Sequence, residues 1–350
     1  MKWFVILAGI ICILGIISIA MSESYRNTRF VRLFLKTFLY LFLFINLVLA
    51  LHAWKFTHFY NDPALRQPQQ TGFLSTAGFI LAGNKIPKRL NDSVPSAPYT
   101  VVPLTTDDGV KLEAWSIPCT GYFTDSLAAL RSTLNYHKGT VIMFHGHGNC
   151  KSVILPEAAA FMKMGYNVFM VDFRAHGNSG GEQCLIGIKE SADVKAAYDY
   201  VQKTGEKNIV LFGVSMGAAT VTKAINDYDI KPSKIILEMP FGSLLDATKG
   251  KLARMGLPAS FGSLLTFWGG TLNGEWAFNY KPWEYAAKIK CPVLLQWGRL
   301  DPRVTINETN ATYNNIKTAK KLVIYEHSAH ESLYLKEQKK WLQNVGSFLQ

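Results

Sequence analysis

The sequence predicts an α/β fold built on a mainly parallel sheet, and three features of the chain predict it. Short unbroken apolar runs recur from residue 140 onward: TVIMF at 140–144, NVFMVDF at 167–173 and NIVLF at 208–212, then 234–238, 292–297 and 321–325. Stretches of helical texture separate the first of them, near 157–164, around 188–203 and from Met216. The polar motifs fall at the carboxyl ends of these runs, where open α/β sheets bind ligands. Strands without polar alternation are buried on both faces, so helices are expected on either side of the sheet.

Ahead of the first run, 99–104 and 110–117 flank Asp107-Asp108-Gly109. Asp-Gly supplies the positive φ of a tight turn, so this segment reads as a β-hairpin. The stretch 240–290 breaks the alternation. It is rich in aromatics, among them Phe261, Phe267, Trp268, Trp276 and Tyr280, and reads as a helical insertion over the sheet. It serves either as a satellite core or as a cap shaping an apolar acyl pocket, and the two are compatible.

Hydrophobic residues make up 49% of the 350, a rich share for a soluble chain, and the excess sits in the first 54. Residues 3–20 and 37–54 are two uncharged runs, the second interrupted only by Asn46 and His52; each is about the length that spans a bilayer core. A cleaved signal peptide is the competing reading for the first run, but the run is long for one and no clear cleavage site follows. The preferred organisation is a two-helix transmembrane hairpin over 1–60, a linker over 61–96, and a catalytic domain over 97–350 with its cap at 240–290. Arg26, Arg29, Arg32 and Lys36 lie between the two runs. The positive-inside rule then keeps that loop cytoplasmic and places the catalytic domain outside.

The net charge of +12 invites a nucleic-acid partner, yet the basic residues are scattered and no binding motif accompanies them. The expected partners are the bilayer and an acyl or small-molecule ester substrate. The five cysteines lack metal-ligand spacing and read as small hydrophobes. No cofactor and no metal is expected.

Gly213-Val214-Ser215-Met216-Gly217 joins the strand NIVLF directly to a helix. A nucleophile needs such a sharp turn to raise its hydroxyl above the sheet, and the flanking glycines leave room for it. A second match, Gly177-Asn178-Ser179-Gly180-Gly181, sits in a loop with no helix directly after it, so Ser179 is set aside. A serine needs a base, and the base a carboxylate; in strand-to-helix elbows these follow in the order acid, then histidine. Asp301, in the turn after 292–297, and His330, after 321–325, meet that order at strand ends. His327 is the alternative base, and Glu238 and Asp246 are reserve acids, all three read as structural. His145-Gly146-His147-Gly148-Asn149 follows the first parallel strand. A loop there supplies a second oxyanion donor, so the backbone N–H groups of His147 and Met216 are the expected pair. Metal binding by His145 and His147 lacks a third ligand.

GVSMG, HGHGN, VDFRAHGNSGG, GRLDPRV and HSAHES, in this order and spacing, resemble the α/β-hydrolase superfamily over residues 97–350. They are most similar to its membrane-tethered, serine-aminopeptidase-like and dienelactone-hydrolase-like branch, whose opening hairpin TTDDGVKLEAW also resembles. Asp172 and Arg174 match that branch's Asp-x-Arg-x-x-Gly segment, which the resemblance implies is structural support. His147 departs from the Asn or small residue often found there. The resemblance implies a serine hydrolase acting on an ester or thioester; a peptidase is the enzymatic alternative. A non-catalytic binding protein on the same scaffold is the third reading, against which stand the retained serine, histidine and glycines.

Overall fold

The computed structural model describes residues 29–66, 78, 81, 83, 85–119, 137–254 and 256–350. The apolar run at 3–20, Cys12 and most of an apolar patch at 72–83 lie outside them. The described helices include α1 (Arg29–Thr57), α2 (Leu155–Lys163), α3 (Ser191–Lys203), α4 (Met216–Tyr228), α5 (Leu244–Arg254), α6 (Gly262–Thr271), α7 (Ile306–Asn315) and α8 (Gln338–Leu349). Eight strands form one sheet: β1 (Thr100–Thr105), β2 (Lys111–Ile117), β3 (Thr140–Phe144), β4 (Asn167–Val171), β5 (Ile209–Val214), β6 (Lys234–Glu238), β7 (Val293–Gly298) and β8 (Lys320–Tyr325). Their spatial order is β8-β7-β6-β5-β3-β4-β2-β1. The hairpin pairs antiparallel, as does β2 on β4; the other neighbours are parallel.

Strand β3 is buried at every residue, and the period of two assigns alternate residues to opposite layers. Val141 and Met143 face the layer holding Phe161 of α2 and Trp341 of α8. Ile142 and Phe144 face the other, with Val194 of α3 and Val221 of α4. The parallel sheet with helices on both faces is therefore the fold that the apolar runs predict.

Where element ends differ from the sequence reading, a polar group supplies the reason. Strand β4 stops at Val171 because Asp172 turns inward: its carboxylate accepts from the Lys151 N–H at 2.7 Å and from the Lys151 ammonium at 2.5 Å. Helix α3 starts at Ser191 rather than near 188. Glu190 takes the N–H groups of Leu185 (3.0 Å) and Gly187 (2.6 Å), which fixes a turn where helix was expected.

Helix α1 is 29 residues long, or about 43 Å, against a hydrocarbon core of about 30 Å. Within its stretch Arg32–Thr57 an 18-residue window reaches a mean hydropathy of 2.2, enough in length and composition to cross a membrane. Leu33, Phe34, Phe38, Leu41, Phe44 and Leu47 are exposed along it, a continuous apolar band that water would not favour. Arg29, Arg32 and Lys36, read as loop residues, lie instead on the first turns of this helix.

The segment 85–98, read as linker, is packed on the domain. Asn91 donates to Asp172 at 2.9 Å and accepts from the Ser152 N–H at 3.2 Å, and the Arg89 carbonyl takes the Gly177 N–H at 3.1 Å. Such specific hydrogen bonds cannot be read from a polar composition.

Lys151 is fully buried, 2.9 Å from Glu113 and 2.5 Å from Asp172, with its ammonium over the Trp115 ring. Burial works to raise the Asp172 carboxyl; Lys151 and His145 outweigh it and hold the group below its usual range. Removing the Asp172 charge leaves the buried Lys151 ammonium only the partly exposed Glu113, and breaking such a buried pair costs about 3–5 kcal/mol. Asp172→Asn should therefore lower the unfolding midpoint by roughly 6 °C or more in a thermal melt in detergent, and a midpoint within a degree of wild type would contradict this account.

Candidate active site

Ser215 stands between β5 and α4 with φ 53° and ψ −113°, a conformation that side chains beyond Cβ resist. The turn is possible because its flanks carry no Cβ. One built at Gly213 would lie 2.6 Å from the Ala218 nitrogen, and one at Gly217 would lie 2.4 Å from the Phe144 oxygen of β3. The Ser215 N–H donates to the Glu238 carbonyl of β6 at 2.7 Å, so three adjacent strands fix the height of the hydroxyl.

Above it, Ser215 Oγ lies 2.9 Å from His330 Nε2, and His330 Nδ1 lies 2.7 Å from Asp301 Oδ2. Asp301 is oriented through its other oxygen, which accepts from the N–H groups of Arg303 (2.7 Å) and Val304 (3.0 Å). With Nδ1–H donated to the carboxylate, Nε2 is left to accept from the serine, the tautomer a general base requires. The acid and histidine loops are pinned together: Leu300 N–H donates to Ser328 O at 3.0 Å, and a Cβ at Gly298 would come within 2.5 Å of that same oxygen. His330 lies in a bend just ahead of a short helix, Leu333–Lys336. Ser332 caps that short helix and also donates to Glu157.

The loop after β3 is held by the imidazoles of His145 and His176, each hydrogen-bonded to backbone groups through both ring nitrogens. Phe173 N–H donates to His145 Nε2 at 3.1 Å, leaving Nδ1–H for the Gly146 carbonyl at 2.8 Å. Gly148 N–H donates to His176 Nε2 at 3.0 Å, leaving Nδ1–H for Arg174 O at 2.8 Å. Burial pushes the His176 imidazole well below its ordinary range, with His145 and His147 adding to it. Burial also lowers His147, to about 3, and the cation of Lys251 opposes its protonation further. Gly146 lies against the nucleophile, a Cβ there falling 3.5 Å from Ser215 Cβ, so His147 comes next to the hydroxyl. Met216 opens α4, where a first-turn N–H has no intrahelical acceptor. His176, absent from the sequence reading, was signalled only by its place in VDFRAHGNSGG.

The set-aside residues are engaged elsewhere. Ser179 is buried, donates to Asp172 O at 2.6 Å and accepts from Glu113 N–H at 2.9 Å. His327 is exposed. Asp246 takes the Ser243 hydroxyl at the start of α5. Glu238 is fully buried, accepting at Oε1 from Gln296 (3.0 Å) and Trp341 (2.6 Å).

A cavity of about 510 Å³ opens over Ser215 and His330, within the range of small-molecule sites. Lys251, Arg303, Ile186 and Phe241 line it, and Glu157 and Glu238 stand in its wall. From the aromatic insertion the wall receives one ring, Phe241, with Ala247 and Lys251. Phe261 and Trp268 instead pack near Ala53 of α1, and Tyr280 fills the space above Gly187.

Burial raises the Glu238 carboxyl to about 8 from an ordinary 4.5, and the Glu157 charge adds to it. Between those values the unfolded chain has released this proton and the folded one retains it, so unfolding is favoured increasingly as pH rises through the window. Glu238→Gln removes the titration. Its unfolding midpoint should gain on wild type from pH 5 to pH 8, by on the order of 3 kcal/mol or roughly 6–12 °C. Parallel pH profiles of the two midpoints would contradict it.

Comparison with known proteins finds likenesses to hydrolases over this part of the chain. A family model described as serine aminopeptidase, S33, matches residues 135–261. The chain is 26% identical over 234 residues to the uncharacterized protein YfhR of Escherichia coli K12, covering 65% of this chain and 72% of that one. It is 28% identical over 148 residues to an uncharacterized membrane protein of Saccharomyces cerevisiae, covering 42% and 47%. Among solved structures, a Pyrococcus furiosus esterase superposes with TM-score 0.60 at 27% identity, covering 75% of this chain and 96% of that one.

Proposed function

Because this chain belongs to the α/β-hydrolase superfamily, we propose that it is a membrane-anchored serine hydrolase cleaving a carboxylic ester or thioester, of a lipid or another acyl group. The observation that carries the reading is the continuous line from Ser215 Oγ through His330 to Asp301, at 2.9 and 2.7 Å, beneath an open cavity. In this mechanism Ser215 attacks the carbonyl carbon as its proton passes to His330 Nε2. The oxyanion is held by the N–H groups of His147 and Met216, at a helix start whose dipole favours negative charge. His330 returns the proton to the leaving alkoxide or thiolate, then activates water, which releases the acid and restores Ser215. Asp301 orients the imidazole and stabilises its cation.

Anchoring rests on the apolar band of α1, and the yeast relative's description as a membrane protein supports it. The cations at the start of α1 argue, by the positive-inside rule, for a catalytic domain on the exocytoplasmic side. A peptidase is the second reading, favoured by the description of the matching family model. Aminoacyl p-nitroanilides set against p-nitrophenyl esters separate the two by which leaving group is released.

Fluorophosphonate labelling of the detergent-purified chain tests the mechanism. Label should fall at least 100-fold in Ser215→Ala and His330→Ala, and persist in Ser179→Ala at a temperature where that variant stays folded. Label that survives Ser215→Ala would move the nucleophile elsewhere.

A further inference from the structure

Helix α1 reaches the active site. Its carboxyl end continues into Phe59, whose N–H donates to Glu182 O at 2.7 Å. The buried Phe59 ring wedges between His147 and His176, with centroids 5.2 and 4.4 Å away. One turn earlier, the Phe56 carbonyl takes a hydrogen bond from the His147 ring, and the Phe56 ring carries the Lys251 ammonium 3.7 Å from its centroid. Farther up, Trp268 Nε1 of α6 donates to Asn46 at 3.0 Å. The seam between α1 and α6 thus runs from Asn46 to Thr57, about 16 Å at 1.5 Å per residue.

A second cavity lies in this seam. It holds about 50 Å³ and is walled by Ala53 and Phe56 of α1, Leu265 and Gly269 of α6, and Ile188. Ile186 and Lys251 line both this slot and the cavity over Ser215. The slot is overwhelmingly apolar, and such space gains free energy from burying methylenes, about 0.8 kcal/mol for each. On its outer side α1 carries the exposed Leu47, Leu51 and Trp54. Tryptophan favours the boundary between lipid and water, so Trp54, next to Ala53, sets the slot near the level of a membrane surface.

Building on the serine-hydrolase reading, we propose that the slot between α1 and α6 is the far end of the acyl-chain site: an unbranched acyl chain of a bilayer ester crosses the cavity over Ser215, where its carbonyl lies, and places its last methylenes along Ala53, Phe56 and Gly269. The apolar helix is then a wall of the active site as well as an anchor, and substrate enters from the membrane along the seam. Small residues keep the slot open. A Cβ at Gly269 would meet only Ala53 Cβ, at 4.0 Å, so alanine is accommodated there and the branches of leucine must occupy the slot.

Full-length protein in detergent, assayed with p-nitrophenyl acetate, octanoate and dodecanoate, tests the proposal. Wild type should favour octanoate over acetate in kcat/KM by at least 10-fold. Gly269→Leu should cut that ratio at least 10-fold, Gly269→Ala by less, and Phe56→Ala, which enlarges the slot, should move the preference toward dodecanoate. Fluorophosphonate labelling of each variant reports that Ser215 is still assembled. A wild type without chain-length preference, or variants that label yet keep the wild-type ratios, would overturn the acyl site and leave the hydrolase standing. A wild type that neither labels nor turns over any ester overturns the hydrolase reading, and the acyl site with it.

Discussion

Ser215 holds its hydroxyl above the sheet by keeping a backbone conformation that is costly for any residue with a side chain (φ 53°, ψ −113°), and its neighbours exist in forms that make this tolerable. Glycines at 213 and 217 remove the Cβ atoms that would strike α4 and β3. The β6 carbonyl at Glu238 takes the Ser215 N–H. A parallel arrangement is what brings β3, β5 and β6 to one edge at this height, and the loops leaving β3, β7 and β8 then converge on the same atom. If the elbow shifted, the 2.9 Å contact with His330 would be lost even though each partner kept its own supports.

Those supports are polar groups buried at the carboxyl end of the sheet. Asp172 ties the loop after β3 to the end of β4 through Lys151. Arg174 joins the same segment to Asp193 of α3 at 2.7 Å and to Asp108 of the opening hairpin at 2.6 Å. Buried ion pairs are poor contributors to net stability, since desolvation offsets much of the attraction. What they provide here is a fixed register for the loop after β3, which lies against Ser215 at Gly146. Unpaired carboxyl oxygens of Glu157 and Glu238 beside the cavity have the opposite character, destabilising the fold as pH rises.

Much of this was legible in the sequence, for identifiable reasons. Strands buried on both faces leave unbroken apolar runs, and glycine-serine-glycine between a strand and a helix has few structural uses. Asp301 and His330 could be paired with Ser215 because both follow apolar runs, and the structure sets the three side chains in line. Other features leave no local trace. The contact of α1 with α6 joins Asn46 to Trp268, and an apolar run reads the same whether its neighbour is lipid or protein. The aromatic residues of 240–290 could be assigned to an insertion but not to a direction: Phe241 faces the cavity, while Phe261 and Trp268 pack toward α1. The hydrogen bond from Asn91 of 85–98 to Asp172 and Arg303's place in the cavity wall likewise depend on loops that only the fold brings together.

The central claim is that an acyl group passes through a covalent bond to Ser215. Acid-quenching the full-length protein during turnover of p-nitrophenyl octanoate, followed by peptide mass mapping, tests it most directly. The account predicts an octanoyl mass increment on the peptide containing Ser215, absent when Ser215 is alanine. Turnover that persists in that variant, or an increment carried by another residue in the wild type, would contradict it.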